Sequence, residues 1–211
     1  MSDLFKGIDN KQKQKLLRFL EASTLICKKN NIILSSVKQD NIICVLVSGH
    51  LQIIKTDYNG NRTIIEDLKE NSVFGSITSS ISNNEYDIIT KEDSKIIIID
   101  FDEIINYNES NTNYFNQFLK NLLSIMSDKI KNNNERIEIL TNKTIRDKLL
   151  SYFKLNVSNK TVNLPFTLTD LADYLAINRS AMQRELKNLK EEGFIEIKNK
   201  KIKLLYDIEI D

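Results

Sequence analysis

Hydrophobic positions change their spacing twice along the chain. Between residues 24 and 101 they fall in short β-branched runs: Ile32-Ile33-Leu34, Ile42 to Val47, Leu51 to Ile54, Thr63 to Leu68 and Ile96 to Ile99. Polar or turn-forming stretches separate them, and Tyr58-Asn59-Gly60-Asn61 is a hairpin signal because Asn-Gly tolerates positive φ. Many short strands with regular turns predict an antiparallel sandwich, roll or barrel rather than a parallel sheet. An amphipathic stretch from Lys13 to Glu21 predicts a helix ahead of them.

From residue 110 the period becomes helical. Leu119, Leu123, Met126, Ile130, Asn133, Ile137 and Leu140 alternate steps of four and three, a heptad seam with one polar member. A second stripe, Phe115, Phe118, Leu122 and Ile125, covers only the first half, and Lys129, Asn132 and Arg136 replace it further on. A helix with two apolar faces needs two partners. We read one as the strand domain and the other as the same helix of a second copy, with Asn133 setting the register. An intrachain core for the whole stripe is the competing reading.

The third texture begins at Lys143. Thr144 to Phe153 predicts a helix with Ile145, Leu149, Leu150 and Phe153 inward, and the polar stretch from Lys154 to Asn163 a loop or short strand. Thr167 caps a two-turn helix, with Asp170 three residues on, and Leu168, Leu171, Ala172 and Leu175 share one face. After the turn Ala176-Ile177-Asn178, a second helix runs from about Arg179 to Glu192 with Met182, Leu186 and Leu189 inward, and Gly193 ends it. Phe194 to Ile197 and Ile202 to Leu205 flank the basic tip Lys198-Asn199-Lys200-Lys201. Ala172 is small enough for the two helices to cross closely, as in a helix-turn-helix. Arg179, Ser180, Gln183 and Arg184 then project from the first turns of the second helix. Arg bonds guanine and Gln bonds adenine in a bidentate manner in the major groove. Thr169, Asn178 and Lys187 join them as candidate DNA contacts, and Lys198, Lys200 and Lys201 form a wing aimed at phosphate. An ordinary αα-hairpin is the alternative.

Composition narrows the chemistry. The chain has 211 residues, with 41% hydrophobic and 28% charged, the make-up of a globular protein of one large or two small domains. No run of 18 apolar residues exists, so no membrane span is expected. The first twenty residues lack the apolar stretch of a secretory leader, which makes a cytoplasmic location the expectation. Two cysteines, Cys27 and Cys44, cannot supply a four-Cys zinc or iron–sulfur site, and one histidine, His50, excludes a two-His metal box. No glycine-rich nucleotide loop is present. No catalytic residue, metal site or cofactor is therefore expected. The net charge of +1 hides a gradient. Residues 141–206 carry 13 Lys+Arg against 7 Asp+Glu, while residues 1–140 carry 17 against 19. A basic C-terminal module suits a polyanion.

The segment Leu168 to Ile195, LTDLADYLAINRSAMQRELKNLKEEGFI, resembles the helix-turn-helix of the Crp/Fnr family of bacterial transcription regulators. Leu46 to Lys55 (LVSGHLQIIK), Gly60-Asn61-Arg62 and Val73-Phe74-Gly75 are similar to that family's effector domain, a cyclic-nucleotide-binding-type β-roll. The resemblance implies an α+β fold with an antiparallel, jelly-roll-like β-roll over residues 1–110, a long dimerisation helix over 111–140 and a winged helix-turn-helix over 141–211. It implies a homodimer acting on a pseudo-palindromic duplex, with RNA polymerase as a further partner of an activator. It places a candidate effector pocket at Gly75, Ser76, Ile77, Thr78 and Ser79, the effector itself being unidentified. Departures matter here. Cyclic-nucleotide-binding members have Gly-Glu and then an Arg about ten residues later. In this chain Gly75 is followed by Ser76, and no Arg or Lys occurs from there to Lys91, so control by cyclic AMP is not expected. Lone His50, next to a glycine turn, reads as a turn or surface residue rather than a haem ligand. Ser180 stands where many members place Glu, which implies a different half-site. The alternative function is a β-roll sensor of a small molecule or of redox state whose main role is not DNA binding.

Overall fold

The computed structural model describes residues 3–33, 40–78, 86–107, 112–164, 167–198 and 201–205. Two compact units emerge. One comprises Met1–Gly60 and Ile65–Lys131, and the other Asn61–Ile64 and Asn132–Asp211.

The first unit opens with helix α1 (Asn10–Phe19), started by a capping box in which Asp9 accepts the Gln12 N–H and Gln12 accepts the Asp9 N–H. Eight strands follow: β1 (Ser23–Cys27), β2 (Ile32–Ile33), β3 (Ile42–Ser48), β4 (Leu51–Thr56), β5 (Arg62–Leu68), β6 (Val73–Phe74), β7 (Tyr86–Thr90) and β8 (Ser94–Asp100). They form two four-stranded sheets, in the orders β1-β8-β3-β6 and β2-β7-β4-β5. The paired strands run antiparallel, with Val45 opposite Ile97 and Ile53 opposite Ile88. The short helix α2 (Phe101–Ile105), capped by Asp100, leads to α3 (Asn113–Thr141).

Burial explains the uninterrupted isoleucine runs. β3 and β8 are central in their sheet and covered on both faces, so both alternating sets of side chains are apolar. Cys44, Leu46 and Ile96 join Leu51, Ile53, Phe74 and Ile88 in a contiguous cluster involving both sheets. Ile43, Val45, Ile97 and Ile99 turn the other way and pack with Leu4, Leu16 and Leu20 and with Phe115, Phe118, Leu122 and Ile125 of α3. The second stripe read from the sequence is therefore the face of α3 buried on the roll. Two glycines are held by close approach as well as by conformation. At Gly49 (φ +99°) a Cβ would stand 2.3 Å from Ser94 Oγ, and at Gly75 (φ +122°) 2.4 Å from the Ile42 carbonyl oxygen. In the hairpin after β4, Gly60 alone takes positive φ, and Asp57 caps the turn by accepting the Asn59 N–H.

The second unit contains α4 (Ile145–Asn156), β9 (Val157–Ser158), β10 (Thr161–Asn163), α5 (Leu168–Tyr174), α6 (Arg179–Glu191), β11 (Ile195–Lys198) and β12 (Lys201–Leu204). The stretch from Lys154 to Asn163 is thus three parts: the end of α4 and the two strands of a tight hairpin. Its sheet runs β11-β12-β10-β9. Leu149, Phe153, Leu171, Leu175, Met182, Leu186, Leu189, Ile195 and Ile202 form its core, joined by Ile139 from the last turns of α3.

Replacing the fully buried Phe118 by Ala leaves a cavity between α3 and the β3–β8 face. Phe118→Ala is expected to lower stability by about 3–5 kcal/mol in a urea titration.

Candidate nucleic-acid interface

The second unit builds its exposed helix face from local signals. Thr167 caps α5: its Oγ1 accepts the Asp170 N–H (3.1 Å) and donates to the Asp170 carboxylate (2.8 Å). Asn178 Oδ1 accepts the Ala181 N–H (3.1 Å) and starts α6. Ala172 is buried at the crossing, as its size requires. Between the helices Ala176 sits at φ +50°, a left-handed conformation that its Cβ disfavours. Gly193, at φ +78°, ends the turn after α6 with open space around it.

The stripe Met182, Leu186 and Leu189 faces the core. Arg179, Ser180, Gln183 and Arg184 are all exposed, with no carboxylate in the first turn of α6. Lys187 is exposed and pairs with Glu191 at 3.6 Å, and Thr169 is half-buried on α5. Lys198 and Lys201 are exposed and directly opposite each other in the β11–β12 hairpin. Lys200 lies outside the described residues.

Sequence reasoning missed a set of charges behind this face. Arg146, the second residue of α4, donates from Nε to Glu185 (2.7 Å) and from an Nη to Glu192 (2.5 Å). The Glu192 bond first, and then the Glu185 bond, push its guanidinium above the usual value. Partners 39 and 46 residues apart carry no local signal. The only sequence trace is the seven-residue interval from Glu185 to Glu192, which puts both on one flank of a helix.

The other predicted positions divide. In the seam of α3, Leu123, Ile130 and Ile137 are 67%, 62% and 58% exposed. Asn133 is exposed, while Leu119, Met126 and Leu140 are half-buried. Leu119 and Met126 pack in part against the roll. In the candidate effector segment, the Ser76 hydroxyl accepts the Ile42 N–H (2.9 Å) and Ile77 packs on the core of the first unit. Thr78 Oγ1 is buried without a partner among the described residues, and Ser79 lies outside them. His50 is in the β3–β4 turn as read, yet it is less exposed than a surface residue. Its Nε2 is 2.7 Å from Asp67, whose same oxygen accepts from the fully buried Gln52 (3.0 Å). No cluster of His, Cys, Asp and Glu able to hold a metal occurs among the described residues, and no helix there is long and apolar enough to cross a membrane.

Comparison with known proteins agrees with this arrangement. Residues 25–111 match the cyclic nucleotide-binding domain, and residues 147–206 match the Crp-like helix-turn-helix domain. The two matches stand in tandem and together span more than half of the chain. The chain belongs to the Crp/Fnr family of transcription regulators. Solved structures share the fold at low identity. A CooA variant from Carboxydothermus hydrogenoformans aligns with a TM-score of 0.71 at 17% identity, covering 90% of this chain and 89% of that one. The c-di-GMP responsive global regulator CLP from Xanthomonas campestris aligns at 0.65 and 14%, over 92% and 100%. FixK2 from Bradyrhizobium japonicum aligns at 0.59 and 17%, over 88% and 93%. No curated protein sequence matches the chain. As a Crp/Fnr regulator it carries the expected antiparallel sheets, long helix and C-terminal helix-turn-helix DNA-binding domain.

The strained turn of the Crp/Fnr helix-turn-helix gives a direct test. Ala176→Gly removes the left-handed Cβ penalty and is expected to raise the stability of the second unit by about 1 kcal/mol, after the added entropy of the unfolded chain. Thermal melting followed by circular dichroism reads the change.

Proposed function

We propose that this regulator binds a pseudo-palindromic duplex as a homodimer, with α6 of each protomer in the major groove and no requirement for cyclic AMP. The observation that carries the reading is the two-sidedness of α6. Met182, Leu186 and Leu189 are buried, while Arg179, Ser180, Gln183 and Arg184 stand in solvent at the helix's positive N-terminal end. In this reading Arg184 and Gln183 address base edges, Arg179 and Ser180 the adjoining bases or backbone, and Thr169, Asn178 and Lys187 the phosphates beside them. Lys198, Lys200 and Lys201 meet phosphate as a wing. The uncovered Leu123, Ile130 and Ile137 sit seven residues apart on α3, which favours a second α3 as their partner. In this reading the two α6 helices meet successive major-groove faces about one turn of DNA, roughly 34 Å, apart. RNA polymerase is a further partner if the protein activates.

Two features argue against cyclic nucleotide control. Ser76 replaces the ribose-binding carboxylate of the family pattern and spends its hydroxyl on Ile42. No Arg or Lys from Ser76 to Thr90 is available to neutralise a cyclic phosphate. Redox sensing has little chemical support. Burial pushes the Cys44 thiol up to about 12 and raises Cys27 above its usual value, so neither is held as thiolate near neutral pH.

Selection of bound duplexes from a random pool tests the reading, and recovery of a two-fold-related half-site is the expected result. On a recovered duplex, Arg184→Ala is expected to cost about 1–3 kcal/mol and to relax choice at one base pair per half-site. Binding should also fall steeply with added salt. Unchanged affinity and selectivity in an anisotropy titration would remove Arg184 from this role. The double substitution Leu123→Glu and Ile130→Glu, at exposed positions, should give a folded monomer in sedimentation. A persisting dimer would show that the seam is not the interface.

A further inference from the structure

Burial of Met182, Leu186 and Leu189 fixes which face of α6 packs inward, but it is non-directional and leaves the helix's tilt weakly set. Directional bonds constrain the tilt here. Arg146 holds α6 at two points, Glu185 in mid-helix and Glu192 at its C-cap, one bond to each carboxylate. Its guanidinium also lies 5.8 Å from the centre of the Phe194 ring, in the segment that leads into β11. In the link between α3 and α4, Asn142 Nδ2 donates to the Glu138 and Ile139 carbonyls (3.1 and 3.3 Å). The same Nδ2 lies 3.1 Å from Ser151 Oγ of α4. The last turn of α3, α4 and α6 are thus joined by side-chain bonds, through Asn142 and Ser151 on one hand and Arg146 on the other.

We propose that Arg146 is a positioning residue for DNA reading: by clamping Glu185 and Glu192 it fixes the tilt of α6 relative to the end of α3, and so sets sequence selectivity without touching DNA. This rests on the DNA-reading role of α6 proposed above. A 13-residue helix is about 20 Å long, so a tilt of about 10° moves one end by about 3 Å, beyond the tolerance of a bidentate base contact. Lysine is a poor replacement for the clamp, because its one nitrogen lacks the rigid planar fork in which Nε and an Nη address the two carboxylates from separate atoms.

The test compares binding to a duplex recovered by the wild-type protein from a random pool with binding to a scrambled duplex of equal length. Arg146→Lys keeps the charge. It is expected to bind the scrambled duplex as wild type does and the recovered duplex at least about fivefold more weakly. The double substitution Glu185→Gln and Glu192→Gln removes negative charge from α6. It is expected to bind scrambled duplex more tightly while its ratio of recovered to scrambled affinity falls by a similar factor. A pure charge effect would raise both affinities together and leave that ratio unchanged, and an unchanged ratio in the glutamine pair overturns the proposal. If Arg146→Lys melts below the assay temperature, the glutamine pair decides alone. If the wild-type protein enriches no duplex at all, the DNA-reading role of α6 fails first, a result separate from retained selectivity in the variants.

Discussion

The burial of one stripe of α6 controls what the C-terminal unit can do. Met182, Leu186 and Leu189 are driven inward by the same apolar transfer that closes the core around Phe153 and Leu171. A helix with its apolar stripe committed has its remaining side chains placed by geometry. Arg179, Ser180, Gln183 and Arg184 are therefore presented outward because their neighbours are not free to turn. Caps at Thr167 and Asn178 fix where each helix starts, and hence which residues occupy the leading turns.

The long helix obeys the same rule with a different outcome. Its stripe of Phe115, Phe118, Leu122 and Ile125 is satisfied by Ile43, Val45, Ile97 and Ile99 of the central strands. Those strands are apolar on both faces because they separate two cores, one toward α3 and one toward the opposite sheet. Leu123, Ile130 and Ile137 lie on another face of α3 and have no such cover among the described residues. Ion pairing does part of the holding where the apolar stripe ends, as Lys129 reaches Glu66 of β5 at 2.8 Å.

Much of this was legible before any coordinates. Steps of three and four revealed both stripes of α3, and the capping residues located α5 and α6 to within a residue or two, because these are local signals. The buried N-terminal turn at Leu4 and Phe5 was not foreseen. Two apolar residues without periodicity give no pattern, and only α3 offers Asn121 to bond the Leu4 and Lys6 carbonyls. β7 and α2 were missed for similar reasons, being short and mixed in composition. The half-buried His50–Asp67–Gln52 cluster and the Arg146 clamp depend on partners far apart in sequence, which no spacing rule reaches. The strained Ala176 follows from a residue that looks ordinary in the sequence and becomes costly only once its φ is known.

One feature of α3 bears on modularity. Its first turns complete the core beneath the sheets, while Ile139, near its end, is 3% exposed in the core of the helix-turn-helix unit. The two units are thus stitched by a shared element whose ends serve different interiors. A chimera that grafts this helix-turn-helix unit onto a different N-terminal domain must carry the closing turns of α3 with it, because a splice at Lys143 would strip the unit of a residue of its own core.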